Sequence, residues 1–142
     1  MQTGREVDEK IEEFVIKLRE KGHRITAQRV AIARLVLENI KTHPSFTDIL
    51  GRAKATIPGV SASTIYNTLQ LLEEMGFVQS FSVKGATVYD SPHPHVNIVC
   101  TDTGQVYDLE ENSQKLLEEA SAKTGKKIRN IVVYALCQQQ AN

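Results

Sequence analysis

The sequence has few cysteines and no long hydrophobic run, and each absence excludes a class of protein. Two cysteines in 142 residues do not make the disulfide framework of a small secreted domain. No stretch approaches the roughly 20 apolar residues of a membrane-spanning helix, and the charged N-terminus MQTGREVDEKIEEF lacks the apolar centre of a signal peptide. With 41% hydrophobic and 24% charged residues, we expect a globular cytoplasmic protein with one ordinary domain or two small ones.

The chain has no net charge, but its charges are unevenly distributed. Residues 17–60 carry nine Lys/Arg against three Asp/Glu, whereas residues 91–142 carry five against six. A basic segment joined to a nearly neutral one is typical of an anion-binding module attached to a second function, and nucleic acid is the commonest such anion. A solvated basic face is the alternative.

Four segments of helical periodicity occupy the first half of the chain. They are EVDEKIEEFVIKLRE, AQRVAIARLVLENI, FTDILGRA and STIYNTLQLLEEM. Thr26 is a good N-cap for the second helix, Ser61 or Ser63 for the fourth, and Gly76 is placed to end the fourth. The period then changes, and FVQSFSV, the tight KG turn and ATVYD predict a two-stranded hairpin.

Helices followed by a hairpin are the element order of a winged helix-turn-helix. In that architecture the last helix before the hairpin enters the major groove of DNA. The apolar positions of the fourth helix leave Ser63, Tyr66, Asn67 and Gln70 facing outward, with no charge in the first two turns. We therefore predict that its N-terminal half reads bases, and a merely structural amphipathic helix is the alternative.

The stretch HPHVNIVCTDTG concentrates metal-ligating side chains. As a strand it would direct His93, His95 and Asn97 to one face. Two imidazoles are too few to hold a transition metal well, so further ligands must come from elsewhere in the chain.

Nearly the whole chain resembles the ferric uptake regulator family. The resemblance rests on GHRITAQRVAIARLV, HPSFTDIL, SASTIYNTLQLLEEMGFV, YD, HPHVNIVC, TGQVYDL and VVYALC, in this order. It implies an α+β fold with an N-terminal winged helix-turn-helix domain (1–90), a hinge (91–94) and a C-terminal α/β dimerisation domain (95–142). Independently, HVNIVC, QVYDL and KKIRNIVVYALC read as strands and ENSQKLLEEASAKTG as a helix.

The resemblance also implies the partners and the DNA-contacting residues. Family members are dimeric, metal-responsive DNA-binding repressors, so we expect a homodimer on a two-fold symmetric double-stranded operator. The candidate DNA contacts are Ser61, Ser63, Thr64, Tyr66, Asn67, Arg24, Arg29 and, in the hairpin turn, Lys84.

One regulatory divalent metal per subunit is implied in the same way. Carried over by motif, its ligands are His43, Asp90, His95 and Asp108. Asn97 stands where the family has a second strand histidine, so His93 is the expected fifth ligand and Asn97 the alternative. Imidazole and carboxylate donors without thiolate suit Fe(II) or Mn(II), with Zn(II) as a possible substitute. In relatives this metal sits between the two domains and sets their orientation.

The cysteines depart from the family pattern. Many relatives hold a structural zinc with two C-x-x-C pairs, but here the pairs read CTDT and CQQQ, so a four-cysteine zinc site is not possible. Cys100 and Cys137 are either two buried apolar residues or a redox pair, because the positions that share a zinc ion in relatives are close in space.

Three functions follow from these patterns. Asp108 and Asn67 are similar to the residues at these motif positions in the peroxide-sensing branch of the family, in which oxidation of a ligand histidine releases DNA. Sensing of iron or manganese is the other metal-dependent possibility. A winged-helix regulator that is switched by a small molecule or by Cys100 and Cys137 is the alternative to metal control. No enzyme activity is expected, since no general base accompanies the candidate ligands of a metallohydrolase.

Overall fold

The computed structural model describes residues 4–109 and 111–138. Its helices are α1 (Gly4–Glu20), α2 (Ala27–Asn39) with a 3₁₀ turn (Ile40–Thr42), α3 (Phe46–Thr56), α4 (Ala62–Glu74) and α5 (Ser113–Thr124). Its strands are β1 (Gln79–Val83), β2 (Ala86–Asp90), β3 (His95–Cys100), β4 (Val106–Leu109) and β5 (Asn130–Ala135). The predicted α+β fold, with its helices, hairpin and C-terminal strands, is confirmed.

The described chain divides into two compact units. The first runs up to Ser80 and includes Thr87–Ser91, and the second comprises Phe81–Ala86 and the chain from Pro92 onward. The tip of the β1–β2 hairpin therefore groups with the second unit. The functional boundaries expected above, 1–90, 91–94 and 95–142, stay a prediction.

The first unit is built around one apolar core. Each of the four helices contributes one side to it, and the largest fully buried side chains include Phe14, Leu37, Ile49 and Ile65. Because α4 buries Ile65, Leu69, Leu71 and Leu72, its opposite face stays exposed. The rings of Phe14 and Phe77 meet edge to face, with centroids 5.6 Å apart, so α1 is packed against the segment that leads into the hairpin.

The helix starts in this unit follow local hydrogen bonding. The side chains of Thr26 and Ser61 accept the backbone N–H groups of Arg29 and Thr64, which would otherwise have no partner in the first turn. Ser45 and Asp48 form a reciprocal capping box at the start of α3. Of the two caps considered for α4, the structure selects Ser61.

The hairpin turn follows the sequence signal as well. Lys84 and Gly85 have positive φ angles of 49° and 80°, as both central residues of a type I′ turn require. Glycine adopts this conformation without strain, whereas Lys84 carries some cost.

The second unit contains a three-stranded sheet in the order β4-β3-β5. β3 pairs antiparallel with β4 and parallel with β5, and the parallel pairing requires the crossover that α5 provides. Val96 and Val99 are fully buried on opposite faces of β3, so both faces of this central strand are covered. None of the described helices has the length and hydropathy needed to cross a membrane.

Candidate metal-binding pairs and nucleic-acid interface

His43 lies at a backbone corner that the local sequence creates. It follows the 3₁₀ turn in the left-handed conformation, with φ of 53°, and its backbone N–H donates to the carbonyl of Ile40. The next residues touch strand β2: the backbone N–H of Tyr89 donates to the carbonyl of Pro44 at 2.9 Å, and Ser45 forms a bridge to Val88. These contacts hold the end of β2 beside the corner.

The consequence is a close pair between His43 and Asp90. Nε2 of His43 lies 3.5 Å from Oδ1 of Asp90, and the two side chains are only 12% and 4% exposed. Oδ1 of Asp90 also accepts the backbone N–H of Ser91 at 2.8 Å. The sequence placed these two residues in one ligand set, and the first unit brings them together.

A second pair forms in the second unit from β3 and β4. The strand register sets Asn97 opposite Asp108, and residues i and i+2 of a strand share a face, so His95 and Asp108 are diagonal neighbours. Nε2 of His95 lies 3.7 Å from Oδ1 of Asp108. Asp108 is partly exposed and His95 largely buried.

Of the other two candidate ligands, Asn97 lies on the strand face of His95 as expected, whereas His93 does not. The prediction that His93 shares a strand face with His95 is wrong, because β3 begins at His95 and His93 precedes it, exposed, before Pro94. The carbonyl oxygen of His93 instead contacts Nδ1 of His95. Asn97 is fully buried, and its amide Nδ2 lies 2.9 Å from Nε2 of His95.

The donor chemistry of the two pairs fits a divalent metal. Nitrogen and oxygen ligands about 2.1 Å from one ion lie roughly 3 Å apart when they subtend a right angle. The observed separations of 3.5 and 3.7 Å are longer than an ordinary N–H···O hydrogen bond and close to that ligand spacing. Each pair could therefore contribute two ligands to a metal ion after a small side-chain adjustment.

The candidate DNA-reading helix presents a polar face. Ser61, Ser63, Tyr66, Asn67 and Gln70 are exposed on or next to α4, as predicted. The amide of Gln70 donates to the hydroxyl of Tyr66 at 2.6 Å, and the ring of Tyr66 meets Phe46 edge to face. Tyr66 is thus held in place yet accessible, as a side chain that contacts a base must be.

Thr64 and the two arginines complete this part of the first unit. The hydroxyls of Ser61 and Thr64 lie 2.9 Å apart, so Thr64 belongs partly to the cap. The guanidinium of Arg29 donates to the backbone carbonyl of Arg24, which holds the Arg29 charge at the start of α2. Positive charge of this kind binds phosphates without reading sequence.

Lys84, expected in the DNA interface, makes a contact in the second unit. Its ammonium donates to the carbonyl of Asp102 at 3.1 Å, and the hydroxyl of Tyr134 donates to the carbonyl of Ser82 at 2.9 Å. The hairpin tip is therefore held by the β3–β4 turn and by β5.

The two cysteines form a disulfide whose Cα atoms are 5.5 Å apart. Cys100 is buried but Cys137 is exposed, so the interpretation of both as buried apolar residues is wrong for Cys137. The carboxylate of Asp102 accepts the backbone N–H groups of Gln138 at 2.9 Å and Cys137 at 3.1 Å. These hydrogen bonds, from Gln138 first, hold the pKa of the Asp102 carboxyl below its usual range.

Sequence reasoning missed Asn130, Asp102 and Tyr134. Nδ2 of Asn97 lies 3.3 Å from Oδ1 of Asn130, which links β3 to the first residue of β5. All three residues become relevant only through strand register and turn packing. No motif or spacing in the sequence distinguishes them.

A helical unit followed by a hairpin, with imidazole–carboxylate pairs in both units, is the arrangement expected of a metal-responsive DNA-binding regulator. The model of the ferric uptake regulator family matches residues 20–136, and the chain belongs to that family. The peroxide-responsive repressor PerR of Staphylococcus aureus is 31% identical over 106 residues, covering 73% of this chain and 71% of the repressor.

Two solved structures extend the likeness. The ferric uptake regulator of Pseudomonas aeruginosa with manganese matches with a TM-score of 0.65 and 25% identity, covering 87% of this chain and 96% of that one. PerR of Streptococcus pyogenes matches with a TM-score of 0.51 and 33% identity, covering 90% of each chain. The protein is thus a metal-dependent transcription regulator and not an enzyme, which excludes a metallohydrolase.

Proposed function

We propose that this protein is a DNA-binding repressor controlled by one divalent metal per subunit, held by His43, Asp90, His95 and Asp108. The observation that carries the proposal is the pairing of imidazole with carboxylate in each unit, at 3.5 Å and 3.7 Å. Of the two further candidates, His93 is our choice for a fifth ligand, because the Asn97 amide is directed at His95 through its nitrogen, which has no lone pair to donate.

The donor set favours Fe(II) or Mn(II). Two imidazoles and two carboxylates, with both cysteines in a disulfide, form a site of borderline and hard donors without thiolate, and Zn(II) would occupy it as a substitute. When bound, the metal supplies positive charge and, for iron, redox chemistry.

Regulation follows from how the ligands are distributed. His43 and Asp90 belong to the unit that carries α4, whereas His95 and Asp108 belong to the other unit. A ligand set drawn from all four residues makes metal affinity depend on the orientation of the DNA-binding unit. By linkage, the metal then favours the orientation that binds a two-fold operator, on which the protein acts as a homodimer.

We infer that the signal is peroxide, with iron or manganese availability as the other possibility. The similarity to PerR of two organisms supports peroxide, and so does Asp108 in place of the longer glutamate. His43, His95 and, as the fifth ligand, His93 are the imidazoles that oxidation at the site would modify, by addition of one oxygen atom, and a modified ring is a poorer ligand.

One experiment tests metal control and the signal together. A duplex that binds the metal-loaded protein is selected from a random library, and affinity is then titrated anaerobically with Fe(II), Mn(II) and Zn(II). The Fe(II) complex next receives a pulse of hydrogen peroxide. We expect release of DNA and a one-oxygen mass gain on peptides containing His43, His93 or His95, whereas the Mn(II) complex should stay bound. His23, which is exposed outside both pairs, serves as the internal control.

The outcomes separate the possibilities. DNA affinity that does not respond to any of the three metals would overturn metal control. A metal response without oxidation or release after the peroxide pulse would leave iron or manganese sensing as the function.

A redox switch at Cys100 and Cys137 is a second candidate function, and the disulfide supports it. Asp102, whose carboxylate accepts the backbone N–H of Cys137, also accepts the ammonium of the hairpin-tip residue Lys84 at its backbone carbonyl. Disulfide formation removes one proton from each thiol and two electrons from the pair; hydrogen peroxide can take them and become two molecules of water. Reduction would loosen the segment around Asp102 and allow the Lys84 ammonium to bind a DNA phosphate.

This candidate is tested by comparing reduced and oxidised protein without metal. Mass spectrometry should show loss of two hydrogens on oxidation, and DNA affinity should be higher for the reduced form. A Cys100→Ser/Cys137→Ser variant should behave as the reduced form under both conditions. Equal DNA affinity of the reduced and oxidised wild type would overturn the redox switch.

A further inference from the structure

Asn97 lies at the centre of the second unit's sheet, beside a metal-ligand candidate. It is 0% exposed and stands opposite Asp108 on β4 and Val132 on β5. A buried amide at this depth must hydrogen-bond to be tolerated, and its nitrogen contacts His95 and Asn130.

The contacts of His95 determine which ring nitrogen carries the proton. Nδ1 faces the carbonyl oxygen of His93, which can only accept a hydrogen bond, so Nδ1 must be the donor. In a neutral imidazole the other nitrogen then bears the lone pair. Nε2 of His95 is therefore an acceptor, and the atom placed 2.9 Å from it is Nδ2 of Asn97.

The orientation of the Asn97 amide agrees with this assignment. Its nitrogen has a second neighbour, Oδ1 of Asn130, at 3.3 Å. Both neighbours of the nitrogen, Nε2 of His95 and Oδ1 of Asn130, are acceptors, and an NH₂ group has two hydrogens to donate. The reverse orientation would place the amide oxygen against two acceptors.

We propose that Asn97 is a positioning residue for His95 and not a metal ligand. In the metal-free protein its amide donates to Nε2 of His95, the nitrogen that lies 3.7 Å from Oδ1 of Asp108, and so supports the Nδ1–H tautomer. Metal binding requires that lone pair, so Asn97 must give up this hydrogen bond when the metal binds. The second part of the proposal rests on the proposed function, whereas the tautomer does not.

The consequence is that both ring nitrogens of His95 have hydrogen-bond partners in the metal-free state. His95 is pre-oriented with the correct nitrogen toward Asp108, as second-shell partners of metal-bound histidines commonly arrange. At the same time the donor from Asn97 competes with the metal for that nitrogen. Asn97 therefore improves the orientation of His95 and at the same time lowers the affinity of the site for metal. This combination suits a reversible sensor better than a permanent metal site.

The test is nuclear magnetic resonance on full-length protein with ¹⁵N-labelled histidine and asparagine, kept metal-free by a chelator. At about pH 8, above the ordinary histidine pKa, the ring nitrogen shifts of His95 should report the Nδ1–H tautomer. A coupling across the N–H···N hydrogen bond should connect Asn97 Nδ2 with His95 Nε2. Signals are assigned with His95→Gln, and His23 provides an unaffected reference ring.

Zn(II), which is diamagnetic, is then added alone. We expect the coupling to disappear and the Nε2 shift of His95 to change at the same metal concentration. In metal-free Asn97→Asp, whose carboxylate only accepts, Nε2 of His95 should gain a proton while Nδ1 keeps its own, so the ring should become an imidazolium. If this variant fails to fold, the wild-type measurement still decides.

An Nε2–H tautomer in the wild type, or a coupling that persists in the zinc-saturated protein, would overturn the proposal. These results do not depend on DNA. The wild type could show the expected tautomer and coupling while its DNA affinity does not respond to metal. That result would contradict the proposed function and leave the assignment of Asn97 in the metal-free state intact.

Discussion

Nε2 of His43 lies 3.5 Å from Oδ1 of Asp90, although α3, α4 and most of the hairpin separate the two residues in the chain. The pair exists because the end of β2 is hydrogen-bonded to the segment that follows His43. Any rearrangement at this corner therefore acts on both the hairpin and a candidate ligand.

His43→Ala should weaken the coupling of metal binding to DNA binding. Weak metal binding should persist through Asp90, His95 and Asp108, but the unit that carries α4 then contributes one ligand instead of two, so the metal distinguishes less between orientations of that unit. We expect the ratio of DNA affinities with and without Mn(II) to fall well below the wild-type ratio. Fluorescence anisotropy on the selected duplex measures it, with His23→Ala as the control. A wild-type ratio in His43→Ala would contradict the role of His43.

Tyr66→Ala and Asn67→Ala should each weaken specific DNA binding by about 1–3 kcal/mol, the scale of a lost base contact. Both side chains are exposed on α4, so neither variant should change the oligomeric state. Binding titrations at fixed salt and size-exclusion chromatography check the two statements. Gln114→Ala on α5 is the matched surface control. Unchanged affinity in both α4 variants would place base reading elsewhere.

Asn97→His should shift metal preference toward zinc. The substitution replaces an amide donor by a third imidazole, and imidazole favours later divalent metals more than carboxylate does. The ratio of Zn(II) to Mn(II) affinities should rise by roughly tenfold or more, because a change in the residues around a metal typically alters its affinity by about 10- to 100-fold. Competition with a chelating dye measures both affinities. An unchanged ratio would show that position 97 does not reach the metal.

Phe14→Ala should destabilise the first unit by about 3–5 kcal/mol, because it removes a fully buried ring and leaves a cavity. Phe14 is 0% exposed and packs edge to face on Phe77. Ile16→Ala is the matched control, since Ile16 on the same helix is 51% exposed and should cost less than about 1 kcal/mol. Urea denaturation gives both free energies of unfolding. Equal losses in the two variants would contradict the core assignment.

Tyr89 should make the protein less stable at high pH. Burial first, then the charge of Glu73, then Tyr66, raise the pKa of its phenol to about 12. The folded pKa lies above the unfolded value of about 10, so the unfolded state loses its proton first and stability falls as pH rises from about 10 toward 12. Tyrosinate absorbance follows the titration.

Tyr89→Phe should flatten this part of the pH–stability curve. The matched control is Tyr134→Phe, because Tyr134 is 54% exposed. A high-pH loss of stability that is identical in wild type and Tyr89→Phe would assign the effect to other groups.

The sequence by itself determined the helices, the cap of α2 and the hairpin turn, and it narrowed the cap of α4 to Ser61 or Ser63. Thr26, Ser61, Gly76 and the Lys84-Gly85 turn act through hydrogen bonds and φ angles within a few residues, so they can be recognised before the fold is known. The outward face of α4 follows in the same way, because the buried positions of one helix imply the exposed ones.

The tertiary structure alone decided the surroundings of the candidate ligands. Motif positions named His95, Asn97 and Asp108, but the contact of the Asn97 amide with Asn130 depends on the parallel pairing of β3 with β5 across α5. The start of β3 at His95, which removed His93 from the strand face, is likewise a matter of pairing. Sheet register is set by contacts between residues distant in sequence, and a shift of one residue would reverse every side chain of β3.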